Sequence, residues 1–155
     1  MLVSGFVRSN DGQILLIKSL FGYTTPSTRV LDDAPVHTLI KHYMKLLEIP
    51  ADCFDLTNVK LLSGSFGEDG DMKLSFVLEI KANVTHEGWL VYKGEMITPK
   101  RSNEFFWAGC KTVNDANRLL DGTLLSEKTR YHILRFFYGN PCFVKMCYRN
   151  NEFVF

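Results

Sequence analysis

The chain has 155 residues, enough for one domain with its own core. Hydrophobic residues make up 46% and charged ones 23%, and the formal net charge is +1. No global charge bias therefore points to nucleic acid, a membrane surface or an acidic partner, and only a local patch stays open. No apolar run reaches the roughly 18 residues a membrane span needs, and residues 1–8 lack the basic start and cleavage site of a signal peptide.

The four cysteines, Cys53, Cys110, Cys142 and Cys147, form no Cys-x-x-Cys pair, and no histidine stands at zinc-finger spacing. Cys142 and Cys147 fall on opposite faces of a predicted strand. All four read as free thiols of a reducing, intracellular compartment, which places the protein in the cytoplasm.

Residues 3–8 form the first predicted strand, Ser9-Asn10-Asp11-Gly12 supplies turn chemistry, and residues 13–18 return as a buried strand. Residues 21–30, with Gly22, Thr24, Thr25, Pro26, Ser27 and Thr28, read as a loop. A helix follows. Asp32 or Asp33 caps it, Pro35 suits its first turn, and Val36, Leu39, Ile40, Tyr43, Leu46 and Leu47 recur at helical spacing. Pro50 stops it and pushes Ile49 toward extended geometry. Residues 58–66 and 73–82 are predicted strands around the acidic turn Gly67-Glu68-Asp69-Gly70-Asp71, whose residues lack the ordered ligand spacing of a calcium loop. Residues 83–101 look irregular, and residues 104–108 form a short aromatic strand. Residues 112–120 and 126–138 read as helices. Ser126 caps the second, Tyr131, Ile133, Leu134, Phe136 and Phe137 give it apolar surface, and Gly139-Asn140-Pro141 ends it. Residues 142–155 alternate around Asn150-Asn151 as a terminal hairpin. There is no repeat, low-complexity segment or linker. This order predicts one α+β domain over residues 1–155, built on a mixed sheet, with its core in residues 3–138.

Three features together resemble the Nudix (MutT-like) family. They are the opening hairpin with its Leu15-Leu16 strand ending at Lys18, the Thr25-Pro26-Ser27 segment ahead of a loop and helix, and Glu104-Phe105-Phe106-Trp107 ahead of two helices. The resemblance implies a Nudix-like mixed sheet sandwiched by helices. The family signature runs from a glycine through a glutamate, an Arg-Glu pair and a Glu-Glu pair to a second glycine and an aliphatic residue. Anchored on Pro26 and Ile49, it closes without a gap. Ser27 then stands for the first glycine and Asp33 for the first glutamate. Lys41 and His42 stand for Arg-Glu, Lys45 and Leu46 for the paired glutamates, and Glu48 for the second glycine.

In the family those glutamates gather Mg²⁺ or Mn²⁺, which neutralises a diphosphate and activates water. Hard cations need oxygen ligands, which His42, Lys45 and Leu46 do not offer, and Lys45 adds a charge that repels a metal. The resemblance with this degenerate box implies a pseudoenzyme without catalytic residues, metal or other cofactor. It would bind a nucleotide-like ligand or a protein partner without hydrolysing a diphosphate. Lys41, His42 and Lys45 lie together on one helix face, either as a metal-free anion site or as a solvated basic face. Arg8, Tyr23 and Trp107 complete the candidate ligand contacts. Trp107 also suits a pocket wall, and Trp89 with Leu90-Val91-Tyr92 suits an exposed patch. Two alternatives stand beside this reading. One is a divergent hydrolase whose Mg²⁺ or Mn²⁺ site is rebuilt from Glu68, Asp71, Glu95 or Glu104. The other is an interaction module of a larger assembly. Lys100-Arg101, Lys111 and Arg118 form no dense run or RNA-recognition signature, so nucleic acid stays an open, unsupported partner, and a membrane is not expected.

Overall fold

The computed structural model describes residues 1–31, 34–67, 69–139, 141–143, 147–149 and 152–154. The predicted opening hairpin forms, with β1 (Leu2–Arg8) and β2 (Gln13–Ser19) antiparallel and Arg8 opposite Ile14. The Ser9 N–H donates to the Gln13 carbonyl at 2.7 Å. Gly12 closes the turn at φ 78°, a conformation that glycine adopts without steric cost. The segment expected to be a loop adds two short strands. β3 (Gly22–Thr24) pairs with β2, and β4 (Ser27–Arg29) pairs with β1. Three-residue pieces separated by Thr25-Pro26 are too short for alternation to reveal them.

The next element, α1 (Pro35–Leu47), buries Val36, Leu39, Ile40, Tyr43 and Leu47, whereas Leu46 is only half-buried. Pro35 occupies its first turn as expected, but the N-cap position belongs to Ala34, which makes no side-chain cap bond; Asp32 and Asp33 lie outside the described residues. The helix ends on Glu48 in the left-handed conformation (φ 55°, ψ 42°), and the Glu48 and Ile49 N–H groups both return to the Met44 carbonyl. Tyr43 anchors the helix to the sheet. Its hydroxyl donates to the Pro26 carbonyl at 2.7 Å, and its ring covers Gly5, where an added Cβ would lie 2.6 Å from it.

Beyond α1 come β5 (Lys60–Phe66), β6 (Met72–Glu79), β7 (Asn83–Val84), β8 (Leu90–Tyr92), β9 (Glu95–Ile97) and β10 (Phe105–Gly109). The stretch expected to be irregular is thus a small three-stranded sheet, β7-β8-β9. Its Leu90 and Tyr92 are buried and Trp89 is half-buried, so the apolar patch expected there is largely internal. α2 (Val113–Gly122) and α3 (Glu127–Tyr138) follow, with Thr112 and Ser126 as side-chain N-caps. β11 (Cys142–Phe143), β12 (Cys147–Arg149) and β13 (Glu152–Val154) complete the chain. The expected terminal hairpin is divided, because β11 extends the main sheet beside β5 while β12 and β13 pair with each other. Asn150 and Asn151 at its turn lie outside the described residues.

The main sheet has the order β10-β2-β1-β6-β5-β11. β1 and β6 are parallel, from Leu2 opposite Lys73 to Arg8 opposite Glu79, and the other pairs on that path are antiparallel. The α+β expectation of a mixed sheet between helices therefore holds. Alternation along the central strands feeds two cores. Val3, Val7 and Leu15 meet α1 on one face, and Phe6, Ile14 and Leu16 meet α2 and α3 on the other. Each fully buried aliphatic side chain there contributes about 1.5–3 kcal/mol. Among the described residues, no helix is long and apolar enough to cross a membrane.

Candidate functional site

The register of β2 against β10 places Ile17 opposite Phe105, and this brings the end of β2 next to the segment before β10. Between them and α1 lies a cleft of about 510 Å³ lined by Lys18, Ser27, His42, Leu46, Arg101 and Glu104, with Ile17, Pro26 and Phe105 as its apolar part. A second cleft of about 690 Å³ shares His42, Leu46 and Arg101 and adds Met44, Lys45, Glu48 and Lys100. The two form one furrow along α1. Three of the positions aligned with the family's helix glutamates, His42, Lys45 and Leu46, line it. Lys41 is exposed and lines neither part, so the predicted basic trio is split.

Both furrow carboxylates are engaged. Glu104 accepts from the Arg101 guanidinium at 2.6 Å, and Glu48 accepts from the Lys100 backbone N–H at 2.6 Å. The second bond ties the segment carrying Lys100 and Arg101 to the end of α1. Lys18 and Lys45 pair with no carboxylate among the described residues. Burial, then the charges of Arg101 and Lys45, hold the His42 imidazole below its ordinary range, so it is neutral at physiological pH. The furrow thus presents cations and a neutral ring where a hard divalent cation would need several oxygens. Its donor set does not suit Mg²⁺ or Mn²⁺.

The acids considered for a relocated metal site are not gathered either. Asp71 binds the N-terminal amine at 3.0 Å and Arg29 at 2.8 Å, Glu95 is exposed on β9, and Glu104 is the partner of Arg101. Glu68 lies outside the described residues. Among the described residues no group of three His, Cys, Asp or Glu stands ready for a metal.

Phe105 also lines a recess of about 220 Å³ with Trp107, Gln13, Thr85, His86 and Glu87, so the half-buried Trp107 sits next to the furrow. Arg8 and Tyr23 sit elsewhere. Arg8 lines a separate cleft, bonds Glu79 at 3.2 Å and lies 4.6 Å over the Phe136 ring. Tyr23 packs on Phe106, ring centres 4.6 Å apart, beside the second core. Cys53 and Cys110 are buried thiols, pushed up to about 11 by desolvation, which leaves little thiolate.

Two groups of polar residues were not singled out from the sequence. In the sequence Lys18 marks only the end of a strand, and its place in the furrow follows from strand pairing. The other group surrounds His132, a buried residue of α3. Its Nε2 meets Ser75 Oγ at 2.7 Å and its Nδ1 meets Thr25 Oγ1 at 3.1 Å. Thr129 Oγ1 accepts from the Thr25 N–H, and Lys128 donates to the Thr25 carbonyl at 3.0 Å. With His132 2% exposed and both its ring nitrogens bonded to hydroxyls, the cluster ties α3 to β6 and to the segment before β4.

No family model and no curated protein sequence matches the chain. Solved structures do. A Nudix hydrolase from M. smegmatis, RenU, superposes with a TM-score of 0.56 at 11% identity, covering 87% of this chain and 82% of that one. The MutT protein from Methanosarcina mazei Go1 gives 0.51 at 14% identity, covering 87% and 90%. A protein from Sinorhizobium meliloti 1021 gives 0.54 at 15% identity over 87% of this chain, which spans only 37% of that longer one. At such identities the likeness establishes the fold and nothing finer. The chain has the fold of Nudix and MutT hydrolases.

Proposed function

We propose that this chain is a Nudix-fold binding protein that holds an anionic, nucleotide-like ligand in the furrow along α1 without metal-dependent hydrolysis of a diphosphate. The observation that carries this reading is the charge of the furrow at the three aligned glutamate positions that line it: His42, Lys45 and Leu46 supply no carboxylate, while Lys18, Lys45, Lys100 and Arg101 supply positive charge. Phosphate oxygens are held directly by such cations, and Lys18 and Lys45 have no carboxylate partner among the described residues to compete for them. Trp107 and Phe105, in the adjoining recess, offer flat faces for a base. Glu48 also supports the alignment. It stands at the second glycine position and adopts φ 55°, the conformation for which glycine is suited.

The test is calorimetric titration of the purified chain with ADP, AMP and inorganic pyrophosphate in EDTA, alongside an assay for hydrolysis with Mg²⁺ or Mn²⁺. Saturable binding that weakens in Lys45→Ala and Lys18→Ala, with no turnover, is the expected result. Metal-dependent turnover abolished by mutating α1 would sink the proposal.

A further inference from the structure

We infer that the furrow takes its polyphosphate ligand as the free anion, so that Mg²⁺ opposes binding where a metal-bridged site would require it. This rests on the reading of the furrow as an anion site and deepens it. Four cationic side chains and two carboxylates line the furrow, an excess of two positive charges, and His42 adds a neutral ring. Both carboxylates are held by groups of the furrow itself, Glu104 by Arg101 and Glu48 by the Lys100 N–H. Each is tied through its Oε2, so a metal brought in on the ligand would meet two partly engaged carboxylates among four cations. The charge of the site therefore complements phosphate oxygens and repels a divalent cation brought in on them.

Lys45 sharpens the point. It stands on α1 at an aligned glutamate position, one helical turn from His42, and has no carboxylate partner among the described residues. A metal on the ligand beside this ammonium would compete with it for the same oxygens. Free and Mg²⁺-bound polyphosphate are then different ligands, and only the first fits. Apparent affinity follows the fraction of ligand in the competent form, so Mg²⁺ at roughly 100 times its own dissociation constant for the ligand raises the apparent Kd about 100-fold.

The experiment titrates the full chain with inorganic tripolyphosphate and with ATP, in EDTA and in excess Mg²⁺ at matched ionic strength. AMP, which holds Mg²⁺ weakly, is the control for screening. The expected result is binding in EDTA, a rise in Kd of about tenfold or more with Mg²⁺ for both polyphosphates, and little change for AMP. The exposed substitution Lys45→Glu weakens binding in EDTA and shrinks the Mg²⁺ effect. Binding in EDTA that is unchanged or tightened by Mg²⁺ overturns this inference and leaves the anion furrow standing. Binding that appears only with Mg²⁺, or no binding in either condition, overturns the furrow reading as well.

Discussion

Lowering the pH from about 7 to about 5 should cost this fold about 2 kcal/mol through one residue, His132. Its imidazole is 2% exposed, with Ser75 on one nitrogen and Thr25 on the other. Desolvation, then the Lys128 charge, lowers its pKa from 6.5 to about 4. In the unfolded chain the ring takes a proton near its ordinary value, whereas the folded ring stays neutral until about pH 4. Between those values the unfolded state binds more protons, so stability is full above about pH 6.5 and falls as the pH drops toward about 4. The whole window corresponds to about 3 kcal/mol, and roughly 2 kcal/mol of it is expressed by pH 5, before most carboxylates titrate. Urea unfolding at the two pH values measures it. His42, whose pKa is also lowered, acts in the same direction, so the comparison is with His132→Gln, which retains the His42 contribution. The variant is less stable at neutral pH, because Ser75 or Thr25 loses a buried partner, but its stability should depend less on pH. Equal losses in the two proteins between the same pH values would refute the account of His132 as a neutral, buried group.

The site and its supports give further tests. Gly5→Ala puts a Cβ 2.6 Å from the Tyr43 ring and should cost about 1–3 kcal/mol by overpacking, read as a lowered urea midpoint. Tyr43→Phe removes the bond to the Pro26 carbonyl and should cost about 1 kcal/mol in the same assay. Glu48→Gly relieves the left-handed backbone, so thermal stability should hold or rise in a melting experiment. Lys18→Ala should weaken pyrophosphate binding at low salt, with the difference narrowing as salt screens the furrow.

The parts of this fold that were legible in the sequence are those whose signal is local. The apolar spacing of α1, the Asp11-Gly12 turn and the Ser126 hydroxyl cap each act within a few residues, and all are present. β3, β4 and the β7-β8-β9 sheet escaped because strands of two or three residues carry too little alternation to stand out from Gly- and Pro-rich surroundings. Half of the furrow was legible for the first reason. His42 and Lys45 belong to a helix whose buried side was already assigned, so their opposite side could be read as a site. The other half was not, because Lys18 and Arg101 meet them through contacts distant in sequence, the pairing of Ile17 with Phe105 and the bond from Lys100 to Glu48. The His132 cluster, with partners 57 and 107 residues away in sequence, was hidden for the same reason.

These two kinds of residue bear on the same question from opposite sides. The end of α1 adopts a left-handed turn even where the residue type makes it costly. Glu48 adopts φ 55° at a glycine position and is held there by the Lys100 N–H. Three of the aligned glutamate positions, His42, Lys45 and Leu46, carry neutral or positive groups and line the cleft. Arg101 is offset by Glu104, but Lys18 and Lys45 have no carboxylate partner among the described residues, so the furrow keeps an excess of positive charge. That excess of positive charge is the physical basis on which an anion is the ligand proposed for the furrow.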